Sequence, residues 1–405
     1  MMNRTDPLQK LQTPSNSTTA CRTLAELSVM KPRSHCSSIR QLRARFTSFT
    51  TCGCRLPSRH DAPPAPHYNL LMPERITILG NGAMATVCSI LLTQNGHHVT
   101  MWGAFEESID RLIQDREQRR LLPGVRVPPD VDLTANDLDC FADCTIILSA
   151  IPTQYVRSVW ERLKRHWPGN IPIVSVAKGI ENQTLLRPTQ IICDVLGTSP
   201  NVAALSGPNI AAELAKYLPA TAVAAAEDEA FAQRVQSAFS TQWFRIYTNT
   251  DVVGVELAGA SKNVIAIAAG ILDGLAAGDN AKAALVTRGL VEITRLGVAM
   301  GGREATFHGL AGVGDLITTC VSPQGRNRTV GEQIGKGKKL KDVLANMDSV
   351  AEGVPTTQSV RALAQRHDVN MPITEAVHSV LFEDKDVLHA LTELMMRDPK
   401  PEQSA

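Results

Sequence analysis

The hexapeptide Gly80-Asn81-Gly82-Ala83-Met84-Ala85 follows the spacing G-x-G-x-x-G/A, in which each small residue has its own task. A first glycine lets a strand turn tightly into a helix, and a second lets backbone approach a pyrophosphate. A small third residue, here Ala85, keeps helix and strand in contact. The anion then rests on the unpaired N–H groups of the helix N-terminus. A bare strand–helix turn with no ligand is the plainer reading, and the place of the motif, at the start of an ordered α/β pattern, argues for dinucleotide binding. Three other spots set ionisable side chains among small or apolar neighbours. Lys262 sits beside Val264, Ile265 and Ile267, Asp315 follows the glycine-rich stretch 309–314, and Arg326-Asn327 adjoins Gly325. A lysine near its ordinary pKa of ~10.4 is a poor base at neutral pH, but burial and a second cation both lower it. A guanidinium beside an amide suits a small dianion. Taken alone, each also has a plain reading: a solvated lysine at a helix edge, a helix cap at Asp315, a solvated basic turn over 324–328.

Such groups need elements to hold them. Residues 75–80 form a short buried-strand pattern, 85–95 a helix closed by Gly96 at the capping position, and 98–102 the next strand. Runs at 145–150 and 172–176 continue the alternation, the mark of a doubly wound, mostly parallel sheet. After about Asp251 the strand pattern fades. Alanine-rich helical segments then run through Leu394, punctuated by glycines at 270, 274, 278, 289, 297 and 301–302. The fold class is therefore α/β: an N-terminal Rossmann-like sheet over 73–249, then an all-helical C-terminal domain over 250–398. The cleft between them is the expected active site.

Composition narrows the partners. A net charge of +1 gives no electrostatic case for nucleic acid or an anionic membrane surface. No run of about 18 apolar residues exists. The nearest, 264–277, is interrupted by Asp273 and reads as a closely packed helix. Cys52-Gly53-Cys54 and the Cys140/Cys144 pair lack the second pair of a zinc site, and the histidines form no metal spacing, so no metal is expected. Plain reduced thiols suit a cytoplasmic enzyme. Trp102, Trp243 and Tyr155 read as packing residues, His308 as structural or an outer neighbour of the cleft, and 336–341 as a solvated helix start. Residues 1–72 hold ten Lys/Arg against three acids, many Ser and Thr, and Pro63-Pro64-Ala65-Pro66. They read as a disordered leader, either like an organelle transit peptide or upstream of a true start at Met72.

From about 75 to 390 the chain resembles the bacterial-type NAD(P)-dependent glycerol-3-phosphate dehydrogenases through an ordered series of blocks. They are Leu122-Pro123-Gly124; Ile151-Pro152-Thr153-Gln154 with Arg157; Lys178-Gly179-Ile180-Glu181; Leu205-Ser206-Gly207-Pro208; and Val255-Glu256-Leu257-Ala258-Gly259-Ala260-Ser261-Lys262-Asn263. The series continues with Gly309-Leu310-Ala311-Gly312-Val313-Gly314-Asp315-Leu316, Thr318-Thr319-Cys320, Gly325-Arg326-Asn327 and Ala351-Glu352-Gly353. The resemblance implies an oxidoreductase using NAD or NADP on a small phosphorylated triol or ketose, and it makes Lys262 the proton-transfer residue. It implies substrate contacts at Lys178, Gly207, Asn209, Lys262, Asp315, Gly325, Arg326 and Asn327. Cofactor contacts follow at Gly80, Gly82, Ala83, Met84, Ala85, Lys178, Ala211, Arg326, Val350 and Glu352. Homodimers are common in the family, and no interface residue stands out here.

On that resemblance Lys262 is the general base, Lys178 helps lower its pKa while contacting substrate oxygen, and Asp315 orients the ammonium or a substrate hydroxyl. The chain departs from the family at several points. Ala83-Met84 and Ala85 alter the glycine loop, and Ala104 and Phe105 stand where an Arg or His is common near the adenosine ribose. Asn209 and Gly325 replace hydroxyl residues of the substrate pocket, and Ser261 replaces a leucine beside Lys262. The end of the second strand offers neither an acid for a ribose 2′-hydroxyl nor an arginine for a 2′-phosphate, which leaves NAD and NADP both open. The Lys262, Asp315 and Arg326-Asn327 set argues against a 6-phosphogluconate or ketopantoate reductase type, and against a non-catalytic NAD-binding sensor.

Overall fold

Arg75–Leu79 (β1) is a strand because four successive apolar or β-branched residues are buried on both faces, as a central parallel strand requires. The computed structural model describes residues 72–347, 350–399 and 401–402. The leader expected over 1–72, apart from Met72, lies outside them, as do Cys21, Cys36, Cys52 and Cys54. After β1 come α1 (Ala83–Gln94), β2 (His98–Trp102), α2 (Glu106–Asp115), β3 (Asp132–Thr134), β4 (Ile146–Ser149), α3 (Thr153–Leu163), β5 (Ile173–Ser175), α4 (Pro188–Leu196) and β6 (Val202–Ser206). The α/β part ends with α5 (Ala211–Leu214), β7 (Ala220–Ala226), α6 (Glu229–Phe239) and β8 (Phe244–Asn249).

These eight strands make one sheet in the order β3-β2-β1-β4-β5-β6-β7-β8. Every neighbouring pair is parallel except β6 and β7. The first six strands follow the 3-2-1-4-5-6 order of dinucleotide-binding sheets, whose switch point falls between β1 and β4. Pairing sets Leu79 opposite both Trp102 and Ser149, so the loops leaving β1, β2 and β4 start level and converge. The four strands expected from sequence lie within one residue of their expected ends. Strand β7, almost wholly alanine, carries little strand preference of its own and is held by burial on both faces. Helix α1 begins at Ala83, two residues before the expected start, and Gly96 follows its end at φ +80°.

The chain turns wholly helical after Asn249. The remaining elements are α7 (Val252–Gly274), α8 (Asp279–Ala299), α9 (Glu304–Phe307), a π-helical turn (Leu310–Gly314), α10 (Asp315–Val321), α11 (Arg326–Gly335), α12 (Leu340–Ala345), α13 (Gly353–Arg366), α14 (Pro372–Phe382) and α15 (Val387–Met395). By length and composition alone α7 would cross a membrane, but almost all of it is buried inside the protein. Its packing against α11 is backbone to backbone. A Cβ on Gly270 would meet the Arg328 carbonyl oxygen at 1.9 Å, and one on Gly331 the Ile267 carbonyl oxygen at 1.9 Å. Small residues on both helices permit that approach, and it delivers the first turn of α11 to the site.

Residues 309–314 are a π-helical turn leading into α10, with Gly312 against the Phe307 backbone. The helix start expected over 336–341 falls at Leu340-Lys341, which open α12, while 336–339 form the turn after α11, with Lys336 paired to Glu332. One local expectation is corrected. Tyr155 is exposed rather than packed, since α3 turns that face outward.

Candidate active site

Gly80 occupies φ +115°, and a Cβ there would strike the Ala150 carbonyl oxygen at 2.6 Å. Only glycine lets the chain leave β1 so close to β4. Gly82 differs: a Cβ there would find only Leu121 Cδ1 within 4 Å, at 3.8 Å. Space therefore lies open beside the N-terminus of α1, which has no side-chain cap and no acid in its first turn. Ala85 is buried in the sheet core, and Ala83, Met84 and Ala211 pack against the same core. The loop thus has the geometry that a pyrophosphate cradle needs.

A second group of residues gathers where the sheet meets the helices. Lys178, just past β5, donates from Nζ to the Gly207 carbonyl (2.9 Å), to Asn209 Oδ1 (2.7 Å) and to Asp315 Oδ2 (2.9 Å). All three of its ammonium hydrogens are held. Lys262, midway along α7, donates to Asp315 Oδ1 (2.7 Å) and to Thr319 Oγ1 (2.5 Å). No third acceptor holds its ammonium among the described residues. The Thr319 hydroxyl in turn donates to the Asp315 carbonyl one helical turn earlier (2.7 Å). Asp315 is 2% exposed and Lys262 5%, so one carboxylate sits buried between two cations. It opens α10 without capping it, because both its oxygens are taken by lysines.

The electrostatics follow from that count. Burial, opposed by the Asp315 carboxylate and helped by the Lys178 ammonium, lowers the Lys262 pKa to about 8. Burial alone would raise the Asp315 carboxyl, but the two ammoniums outweigh it and hold it below the usual range. Loss of one proton from Lys262 leaves a neutral Lys178–Asp315 pair, so the surplus charge is the one that can leave. Burial pushes the neighbouring Cys320 thiol up to about 12, which keeps it an uncharged wall.

The remaining site residues are tied in through the backbone. Asn263 donates to the Lys178 carbonyl (2.9 Å), and Asn327 Oδ1 accepts from Gly353 N (2.9 Å). Glu352, just ahead of α13, reaches the start of α3, where its Oε1 accepts from Thr153 N (2.9 Å) and Thr153 Oγ1 (3.1 Å). A Cβ on Gly325 would sit 3.1 Å from the Thr319 carbonyl oxygen, which places Arg326 and Asn327 next to the lysine cluster. Arg326 and Asn327 form the first turn of α11, not the loop that their glycine neighbour suggests. Arg326 is exposed and makes no hydrogen bond or ion pair among the described residues. Val350 is exposed and joins none of these contacts. Sequence reasoning gives no role to Thr319, Asn263 or Thr153. Only the helical spacing of Thr319 from Asp315, four residues on, signals a shared face.

A doubly wound dinucleotide-type sheet with a buried Lys–Asp–Lys cluster at its helical end defines the class: a two-part α/β protein with its ionisable groups at the junction. Residues 75–232 match the model of the NAD-dependent glycerol-3-phosphate dehydrogenase N-terminus, and 251–392 match that of its C-terminus. The chain belongs to the NAD-dependent glycerol-3-phosphate dehydrogenase family. It is 48% identical over 334 residues to glycerol-3-phosphate dehydrogenase [NAD(P)+] 2 of Salinibacter ruber, covering 82% of this chain and 97% of that one. Identity to the Geobacter sp. protein of that activity is 46%, covering 82% and 99%. The crystal structure of glycerol-3-phosphate dehydrogenase from Coxiella burnetii superposes with a TM-score of 0.77 at 35% identity, covering 80% of this chain and 99% of that one. A ketopantoate reductase from Ralstonia eutropha shares only the fold, at 12% identity and a TM-score of 0.51.

Proposed function

We propose that this chain interconverts sn-glycerol 3-phosphate and dihydroxyacetone phosphate with NAD or NADP, and that Lys262 moves the hydroxyl proton. The observation that carries this reading is the Lys178–Asp315–Lys262 cluster, with one unheld ammonium hydrogen, in a chain of this family. The bound dinucleotide supplies the hydride acceptor, or the donor in the reverse direction. Residues 73–249 provide its cradle through Gly80, Gly82, Ala83, Met84 and Ala85, with Ala211, Val350, Glu352, Lys178 and Arg326 at its borders. Residues 250–398 provide the proton-transfer group.

In oxidation, neutral Lys262 accepts the C2 hydroxyl proton as C2 loses hydride. In reduction, protonated Lys262 returns the proton to the ketone oxygen. Asp315 and Thr319 hold Nζ in place throughout, so the proton moves along a fixed line. Lys178, Gly207 and Asn209 bound the substrate oxygens from the sheet side. The guanidinium of Arg326 and the amide of Asn327, at the N-terminus of α11 beside Gly325, form the phosphate end. A cytoplasmic enzyme supplying glycerol 3-phosphate for glycerophospholipid synthesis fits this chemistry and the free thiols of the described cysteines.

Absorbance at 340 nm tests the reading, with dihydroxyacetone phosphate and NADH or NADPH beside a Lys262→Ala control. Cofactor oxidation that disappears in the variant is expected. No turnover with either cofactor, in folded protein that binds one, overturns the assignment and points to Asn209 and Gly325 as marks of another substrate.

A further inference from the structure

The carboxyl ends of β2 and β3 open on a cavity of about 570 Å³ whose wall includes Ala104, Glu106, Asp110, Thr134, Asn136 and Arg162. It adjoins the glycine loop. A Cβ on Gly103 would meet the Asn81 side chain at 3.2 Å, and Asn81 Nδ2 donates to Ser108 Oγ on α2 (2.8 Å). In a sheet of this order, the end of β2 is where an acid meets a ribose 2′-hydroxyl or an arginine meets a 2′-phosphate. Local sequence offers neither residue there, but the fold brings an arginine to the place from α3.

That arginine is already committed. Arg162 donates from Nε to Asp137 Oδ2 (2.8 Å) and from Nη2 to Asp137 Oδ1 (2.6 Å), while Nη1 donates to the Ala104 carbonyl (2.8 Å). Its guanidinium carbon lies 5.1 Å from the centre of the Trp102 ring. Every donor-bearing nitrogen and one face of the group are therefore in use. The rest of the wall is neutral apart from two acids. Glu106 and Asp110 are exposed on α2, and the nearby Asp139 accepts from Thr134 Oγ1 (2.7 Å) and Asn136 Nδ2 (3.1 Å). Two further cations stand near. Arg111 is paired with Glu107 on its own helix, and Arg165 is exposed, 3.9 Å from Asp137.

We propose that this cavity takes an adenosine ribose with a free 2′-hydroxyl and rejects a 2′-phosphate, so that NAD(H) is the working cofactor and the Asp137–Arg162 pair its specificity determinant. The proposal rests on the dinucleotide reading of the glycine loop. A 2′-phosphate entering here faces Glu106 and Asp110, and its only counter-charge in the wall is neutralised by Asp137. Specificity of this kind comes from repulsion built against the wrong ligand. Ala104, at the end of β2, adds no counter-charge to the wall.

Calorimetric titration of the full chain with ADP-ribose and with 2′-phospho-ADP-ribose tests this without turnover. ADP-ribose is expected to bind at least tenfold tighter. Asp137→Asn, which releases Arg162, should narrow the gap several-fold by strengthening the phosphorylated ligand alone. Ala104→Arg should do the same by adding a cation that does not depend on Asp137, and it keeps the question answerable if the first variant fails to fold. Equal or tighter binding of 2′-phospho-ADP-ribose by the natural chain overturns the cofactor preference and leaves the enzyme assignment standing. A gap that neither variant moves overturns the role of wall charge. Failure of both ligands to bind overturns the dinucleotide reading itself and this inference with it.

Discussion

Helix α7 carries two buried ionic clusters built on opposite charge balances. At its start Glu256 receives the Arg187 guanidinium on Oε2, with Thr189 N (2.9 Å) on Oε1 and Thr189 Oγ1 (2.7 Å) on Oε2. One acid meets one base, both carboxylate oxygens are used, and the pair pins the N-terminus of α4 to α7. Further along, Lys262 shares Asp315 with Lys178, so one acid meets two bases. A balanced pair has nothing to release, because removing either charge strands the other in a poor solvent. The unbalanced triad can lose a proton and become neutral. Burial is common to both; the count of charges separates a fastening from a site that works.

The contrast breaks most visibly at its two poles. Lys262→Ala should lower kcat by about 10²–10⁴-fold, the usual worth of a positioned proton-transfer group. Its urea midpoint should barely move, because Asp315 keeps Lys178. Glu256→Ala should do the reverse. It leaves a buried guanidinium alone and costs roughly 3–5 kcal/mol in urea unfolding, with kcat per folded molecule unchanged. A large kcat loss in the second variant at full stability would erase the distinction.

The pH profile sharpens it. With Lys262 titrating at about 8, glycerol 3-phosphate oxidation should rise with pH through that value, while reduction falls. Asp315 raises the Lys262 pKa and Lys178 lowers it. The midpoint should therefore drop in Asp315→Asn and climb in Lys178→Ala, in whatever activity each retains. Shifts of the same sign in both variants would contradict the triad.

The smallest effect is on stability at high pH. Because the folded pKa lies below the ordinary value, the unfolded chain binds more protons between about 8 and ~10.4. Stability from this group thus rises with pH across that window. Lys262→Met should remove the rise, seen as the two proteins' unfolding free energies converging with pH by an amount on the order of 3 kcal/mol.

Much of this molecule is legible from local spacing. The glycine hexapeptide, the strands at 75–79 and 98–102 and the switch to helices after 249 follow from patterns a few residues long, where steric and burial rules act directly. Strands β3, β6, β7 and β8 fall outside the runs expected from sequence, β7 because alanine favours no strand. The family blocks bring Lys178, Lys262 and Asp315 into view as residues but not as a cluster. The Lys178–Asp315 bond spans 137 residues, and nothing local encodes which carboxylate meets which ammonium. Arg326-Asn327 looks like a loop because Gly325 precedes it, yet the close approach of Gly270 and Gly331 makes it the start of a packed helix.

The sequence by itself determined the turn at Gly80, the small contact at Ala85 and the switch from an α/β alternation to helices after 249, since these depend on backbone sterics and short-range hydrophobic period. The tertiary structure alone decided that two lysines share one aspartate, that Asn209 holds Lys178, and that an arginine from α3 reaches the ribose end already bound to Asp137. Those outcomes are set by long-range packing, because a charge inside a protein takes its pKa and its partners from whatever the fold places within about 4 Å of it.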